Sequence, residues 1–190
     1  MAQQDKIKWD KKYQDVSSLL EDRKPSDKLI NILEEIKGKK VLDVACGTGR
    51  NSIYLAMNGF DVDALDISQV ALETLKNKGY KNIFCKVVDL DEYEIPKNSY
   101  DLVVMTNFLD RSLISKLSNA LKLDGILFIE TYMEDIINEK APSNTDFLLK
   151  KDELKTFFDD KFELLAYEEF INEDYEIYKM KKQLIVVRKL

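Results

Sequence analysis

Asp43, Asp66 and Asp89 each fall in or at the end of an apolar run, in "VLDVACGTGRN", "DVDALDIS" and "VVDLD". The first run leads at once into Gly47-Thr48-Gly49. A Gly-x-Gly turn between a strand and a helix cradles part of a nucleotide-like ligand, because residues without a Cβ let the backbone approach it closely. The neighbours narrow the ligand class. A triphosphate loop needs Gly-Lys-Ser/Thr after four intervening residues, and "GTGRNS" has no lysine there. A dinucleotide turn wants Gly or Ala where Ser52 stands. Asp43, four residues ahead of Gly47, would repel a pyrophosphate and suits a positive group. Asp66, 17 residues after Gly49, stands where a carboxylate accepts both hydroxyls of a ribose. Asp89 is placed to take an adenine amino group, with the Leu90 backbone N–H on a ring nitrogen and Ile67 on the adenine face. Ribose, adenine and a cationic tail together describe S-adenosylmethionine. The structural alternatives are a turn cap for Asp43, solvated strand-end acids for Asp66 and Asp89, and plain core for Ile67.

Composition removes other chemistry. The chain has 190 residues and no histidine, which excludes a Ser-His-Asp triad, a Cys-His pair and the usual zinc sites. Two cysteines, Cys46 and Cys85, make no disulfide framework, and Cys46 has no basic neighbour but Arg50 to activate it. A net charge of −6 argues against wrapping nucleic acid or lying on an anionic membrane. No apolar run reaches the roughly 20 residues of a membrane span. "MAQQDKIKWDKKYQ" has no signal core, so a cytoplasmic location is expected.

The elements that must position these residues follow from periodicity and breakers. Helices are expected over 5–20 and 26–37, then a strand over 40–45 and a helix over 51–57. A strand over 61–65 precedes a helix over 69–78 that Ser68 caps and Gly79 ends. Strands over 82–88 and 100–106, a helix over 112–121 and a strand over 125–132 complete the alternation. Repeated strand–helix units imply a parallel sheet with helices on both faces. Strands over 162–170 and 183–189, with no helix between them, read as a closing antiparallel hairpin. The charge runs "KNKGYK" and "KMKK" are expected to face solvent.

"VLDVACGTGRNSIYLA", "DVDALDIS", "VVDLD" and "YDLVVMTNFLDR" resemble the class I S-adenosylmethionine-dependent methyltransferases over residues 9–132. "GTGRNS" with "WDKKY" upstream is most similar to the small tellurite-resistance and thiopurine-type branch. The resemblance implies an α/β fold with a doubly wound, mostly parallel seven-stranded sheet. It implies one domain over 1–190: N-terminal helices and lid to 37, a cofactor core over 38–132, and an acceptor side over 133–190. It also implies that Tyr13, four residues from Trp9 on one helix face, closes over the cofactor and bonds its carboxylate. Thr106, Asn107 and Phe108 would lie beside the methyl group. Glu130, Thr131 and Tyr132 would border the acceptor, with Glu130 or Asp110 as an acid or base. Packing aromatics and structural acids are the alternatives.

The function expected is methyl transfer to a small-molecule acceptor by in-line displacement. The segment after Thr106 lacks the Asn/Asp-Pro-Pro-aromatic motif of enzymes that methylate amino groups, which counts against adenine, cytosine or glutamine acceptors. A soft or anionic acceptor is expected, held by Arg50 or Arg111 as a fork. Either arginine could instead bind the ligand carboxylate or pair with a surface acid. The 138–149 stretch would roof the pocket. A non-catalytic binding domain on the same scaffold, an NAD-dependent oxidoreductase and a nucleic-acid methyltransferase are the rivals; Asp43 and Ser52 fit the second poorly, and the charge disfavours the third.

Overall fold

Val41, Leu42 and Val44 are fully buried, and Asp43 between them is 1% exposed. A strand enclosed on both faces reads as a continuous apolar run rather than an alternation, which is the habit of parallel sheets. This strand, β1 (Lys40–Val44), pairs in parallel with β2 (Asp61–Asp66), and β2 pairs in parallel with β3 (Ile83–Val87). The computed structural model describes residues 2–173 and 176–190. It divides the chain into two compact units, one ending at Pro96 and one spanning Lys97–Leu190.

In the first unit the strand order is β3-β2-β1. Helix α3 (Arg50–Met57) joins β1 to β2, and α4 (Gln69–Lys76) joins β2 to β3. The Ser68 hydroxyl accepts from the Ala71 N–H at 3.2 Å, so Ser68 is the N-cap the sequence indicated. Before the sheet come α1 (Ala2–Asp15), which packs on α4, and the short α2 (Asp27–Ile30). The single helices expected over 5–20 and 26–37 are broken: 3-10 turns cover Ser17–Leu19 and Leu33–Glu35. In the second, the Ile32, Glu35 and Ile36 amides donate three residues back, to the Leu29, Ile32 and Leu33 carbonyls, the bonding of a 3-10 rather than an α-helix.

The second unit has the order β4-β5-β7-β6. Strand β4 (Tyr100–Thr106) runs parallel to β5 (Leu121–Tyr132), with α5 (Arg111–Ala120) between them in sequence. Strand β7 (Lys181–Lys189) is antiparallel to both β5 and β6 (Phe162–Ile171), so the C-terminal hairpin is present. Asp174 and Tyr175, inside the connection expected to lack a helix, lie outside the described residues. Strand β5 starts at Leu121 rather than at 125, with an irregular register between Tyr100 and Leu102. The α/β class with seven strands, mostly parallel, is the class expected. Among the described residues, no helix is long and apolar enough to cross a membrane.

Candidate active site

The turn after β1 has three residues in the left-handed region: Ala45 at φ 51°, Gly47 at φ 57° and Gly49 at φ 80°. A Cβ at Gly49 would lie 2.5 Å from a Leu75 methyl, and one at Gly47 would lie 2.6 Å from Tyr13 Oη. Both glycines are therefore required by conformation and by space. From the end of β2, Asp66 locks this turn. Its Oδ2 accepts from the Gly47 N–H and its Oδ1 from the Ser68 N–H, both at 2.8 Å. Asp66 is 7% exposed. Burial pushes its carboxyl above the ordinary aspartate range, against the Ser68, Gly47 and Ile67 amides that favour the charged form. An ionised carboxylate offers about four acceptor sites. The Gly47 and Ser68 amides, one on each oxygen at 2.8 Å, leave acceptor capacity on the group for the hydroxyls of a cis-diol, so its acceptor set fits a ribose.

Asp43 Oδ2 accepts from the Ser52 hydroxyl at 2.6 Å. Burial raises the Asp43 carboxyl to about 7, opposed by the Ser52 bond and the Arg50 charge. The serine at the third fingerprint position therefore answers a buried acid, a pairing that the nine-residue separation in sequence did not reveal. Arg50 is 8% exposed and borders a cavity of about 280 Å³ together with Arg23, Thr48, Tyr54, Lys78 and Tyr80.

Helix α1 lies against the same turn. Tyr13 is 8% exposed, and its ring centroid is 6.2 Å from that of Trp9. Asp10, which sequence reasoning missed, ties α1 to the start of α4. Its Oδ1 accepts from Ser68 Oγ at 2.7 Å and from the Val70 N–H at 3.2 Å, and Lys6 pairs with Oδ2 at 2.6 Å. Burial works to raise the Asp10 carboxyl, but the bonds from Lys6, Ser68 and Val70 prevail and hold it low. The available signal was an acid on the turn between Trp9 and Tyr13. At the end of β3, Asp89 Oδ1 accepts from the Asp91 N–H at 3.1 Å, and Asp89, Leu90 and Ile67 are half-buried.

The second unit presents the other group of expected residues. Thr106, half-buried, stands opposite Glu130 in the β4–β5 register, and the Asn107 N–H donates to the Glu130 carbonyl at 2.8 Å. Glu130 is fully buried, and its Oε1 lies 3.0 Å from Nζ of the equally buried Lys182. An oxygen occupied by a buried ammonium, on a side chain closed to solvent, counts against the general-base role expected of Glu130. Lys182 belongs to "KMKK", so that run does not face solvent throughout. Asp110 caps α5, accepting from Ser112 N–H at 2.9 Å and Ser112 Oγ at 2.8 Å. Arg111 is bound bidentately by Glu153, at 2.6 and 3.1 Å, and donates to the Asp146 and Leu148 carbonyls at 2.6 and 2.9 Å. All of those donors tether the 146–153 segment. Arg111 is thus a clamp on the chain itself, not the anion fork expected.

Residues 4–183 match the family model described as tellurite resistance protein TehB. The chain is 33% identical over 146 residues to a Haemophilus influenzae protein named "Probable S-adenosyl-L-methionine-dependent methyltransferase TehB", covering 70% of this chain and 49% of the relative. It therefore spans about half the length of that relative. Among solved structures, TehB from Haemophilus influenzae superposes with a TM-score of 0.76 at 27% identity, covering 87% of this chain and 63% of the other. The [4+2]-cyclase SpnF gives a TM-score of 0.69 at 19% identity, covering 95% and 94%, a likeness of fold alone.

Proposed function

Because the chain belongs to the family of tellurite resistance protein TehB, we propose that it binds S-adenosylmethionine and transfers its methyl group to a small-molecule acceptor. The observation that carries this reading is the joint between Asp66 and the Gly47 turn, a buried carboxylate that holds a left-handed glycine turn and keeps capacity for a diol. The bound cofactor would supply an activated methyl group on a sulfonium leaving group.

The chain's own residues then have separate duties. Asp66 receives the ribose hydroxyls. Gly47 and Gly49 let the turn approach the methionine part, and Asp43, held by the Ser52 hydroxyl, stands behind it to orient the cofactor's amino group. Ile67, Asp89 and Leu90 take the adenine, while Tyr13 covers the turn and Asp10 holds the covering helix down. Thr106 borders the transferred group. Arg50, at the mouth of the turn, answers the cofactor carboxylate. No covalent enzyme intermediate is needed. Alignment of an acceptor with the methyl group supplies about 7–11 kcal/mol of barrier reduction by proximity alone. A chain without histidine can supply that.

The test is release of S-adenosylhomocysteine with a panel of small acceptors, set against total tRNA, DNA and cell protein with labelled cofactor. Turnover with small acceptors is expected. Methylation of a macromolecule alone would overturn the acceptor class, and tight cofactor binding with no release for any acceptor would favour a binding domain.

A further inference from the structure

Within the second unit, the charged cluster around Lys182 has no duty in the reading above. Lys182 stands opposite Tyr132 in the β5–β7 register, and its Nζ lies 5.3 Å from the Tyr132 ring centroid. Three carboxylates surround the buried ammonium: Glu130 at 3.0 Å, Glu173 at 3.4 Å and Glu176 at 3.6 Å. Burial alone would push the Lys182 amine down, yet Glu130, Tyr132, Glu173 and Glu176 together keep it protonated. The second observation concerns donors. The Glu173 side chain is 9% exposed, and its Oε1 is buried with no hydrogen-bond partner among the described residues. A buried carboxylate oxygen without a donor bears an uncompensated desolvation cost. The third concerns the alternative cation: Arg111, the arginine of this unit that the sequence offered for an anion, is committed to Glu153.

We propose that Glu173, backed by Glu130 and Lys182, is a specificity-determining group that admits an acceptor bearing an alkylammonium and turns away anionic acceptors. The ammonium supplies the donor that the unpartnered Glu173 oxygen lacks. In this enclosed setting a carboxylate of the wrong sign would be repelled far more strongly than in water. The ammonium is a handle for recognition and not the methylated atom, so no proton has to leave it. The idea rests on the methyl-transfer reading only in calling the bound molecule an acceptor.

The experiment needs no cofactor. Binding of n-propylammonium, propionate and n-propanol to the full chain is followed by NMR titration at fixed ionic strength. Propylammonium is expected to bind about tenfold or more tightly than propionate, the difference made by one charge-assisted hydrogen bond. Glu173→Gln is expected to remove most of that preference, and Glu163→Gln, in a surface pair with Arg188 at 2.9 Å, to leave it intact. Thermal melts check that each variant is folded, and Glu176→Gln gives a second, milder loss. Equal binding of the two ions, or a preference that survives Glu173→Gln, would overturn the proposal. Calorimetry with S-adenosylmethionine on the same samples separates the two ideas: lost cofactor binding with the ion preference intact would count against methyl transfer alone.

Discussion

Asp66 and the glycine turn hold one another, and this shapes how a variant must be read. Asp66→Ala would strip acceptors from the Gly47 and Ser68 amides as well as from a ribose. Asp66→Asn is the milder change, because it keeps the shape and one acceptor, and sets its NH2 against only one of the two backbone N–H groups. It is expected to weaken S-adenosylmethionine binding by about 2–3 kcal/mol, the range for a hydrogen bond to a charged group. Calorimetry with the cofactor and its 2′-deoxy analogue checks the cause: the native chain should favour the ribose form and the variant should not. A variant that still discriminates would remove Asp66 from the diol. Asp43 yields a second prediction. Its carboxyl is raised from 3.8 to about 7 in the fold. Between those values the native state holds a proton that the unfolded chain has released. The contribution to stability is therefore full at low pH and is lost as pH rises toward about 7. Asp43→Asn removes that slope and should be more stable than the native chain at pH 8 by roughly 3–5 kcal/mol. Urea unfolding of both proteins from pH 4 to 8 measures the difference, and identical pH profiles would show that Asp43 ionises in the fold without cost.

At the scale of elements, α1 is positioned by contacts that are local in space and remote in sequence. Its Tyr13 hydroxyl stands where a Cβ on Gly47 would go, but the next ring atom, Cζ, would be 3.7 Å away. Gly47→Ala should therefore do two separable things. It should incur a backbone cost of about 1 kcal/mol for a positive φ, and it should push α1 off the turn. Tyr13→Phe removes the clashing oxygen and leaves the first cost in place. In the double variant the loss of stability should be smaller than in Gly47→Ala alone, with a coupling of about 1–2 kcal/mol by denaturation. Strict additivity would show that the hydroxyl does not touch the turn. The same distinction explains what was legible. Strand β4, the cap at Ser68 and the turn at Gly47 carry their signals within a few residues, through β-period, capping chemistry and glycine. The start of α2 does so only in part, because the Ser26 N–H is held by Asn51 Oδ1 at 3.0 Å, a side chain 25 residues away. Lys182 was misread for the same reason. Periodicity places a lysine on a strand, but only the facing Glu130 and Glu173 make its burial tolerable.

On the scale of the whole molecule, charge argues where pattern does not. The succession of strands along the chain and their direction could be read from alternating units, whereas the partners of Arg111 and Asp43 come from elements that the sequence does not place together. The net charge of −6 is independent of such details. Cations that a phosphate-tracking stripe would need are instead paired with acids of this chain: Lys40 with Asp63, Lys78 with Asp22, Lys122 with Asp101 and Arg188 with Glu163. A protein that neutralises several phosphates shows affinity falling steeply with salt, by about 0.9 in log–log slope for each phosphate on duplex DNA. No such stripe is expected to form here. Labelled duplex DNA and total tRNA, followed by fluorescence anisotropy from 50 to 200 mM salt, should show no saturable binding at micromolar protein. Methyl transfer to the best small acceptor should change little over the same range, because the Glu173 and Lys182 side chains are almost wholly enclosed and poorly screened. Saturable, salt-steep binding of either nucleic acid would reverse this conclusion and return a nucleic-acid methyltransferase to first place.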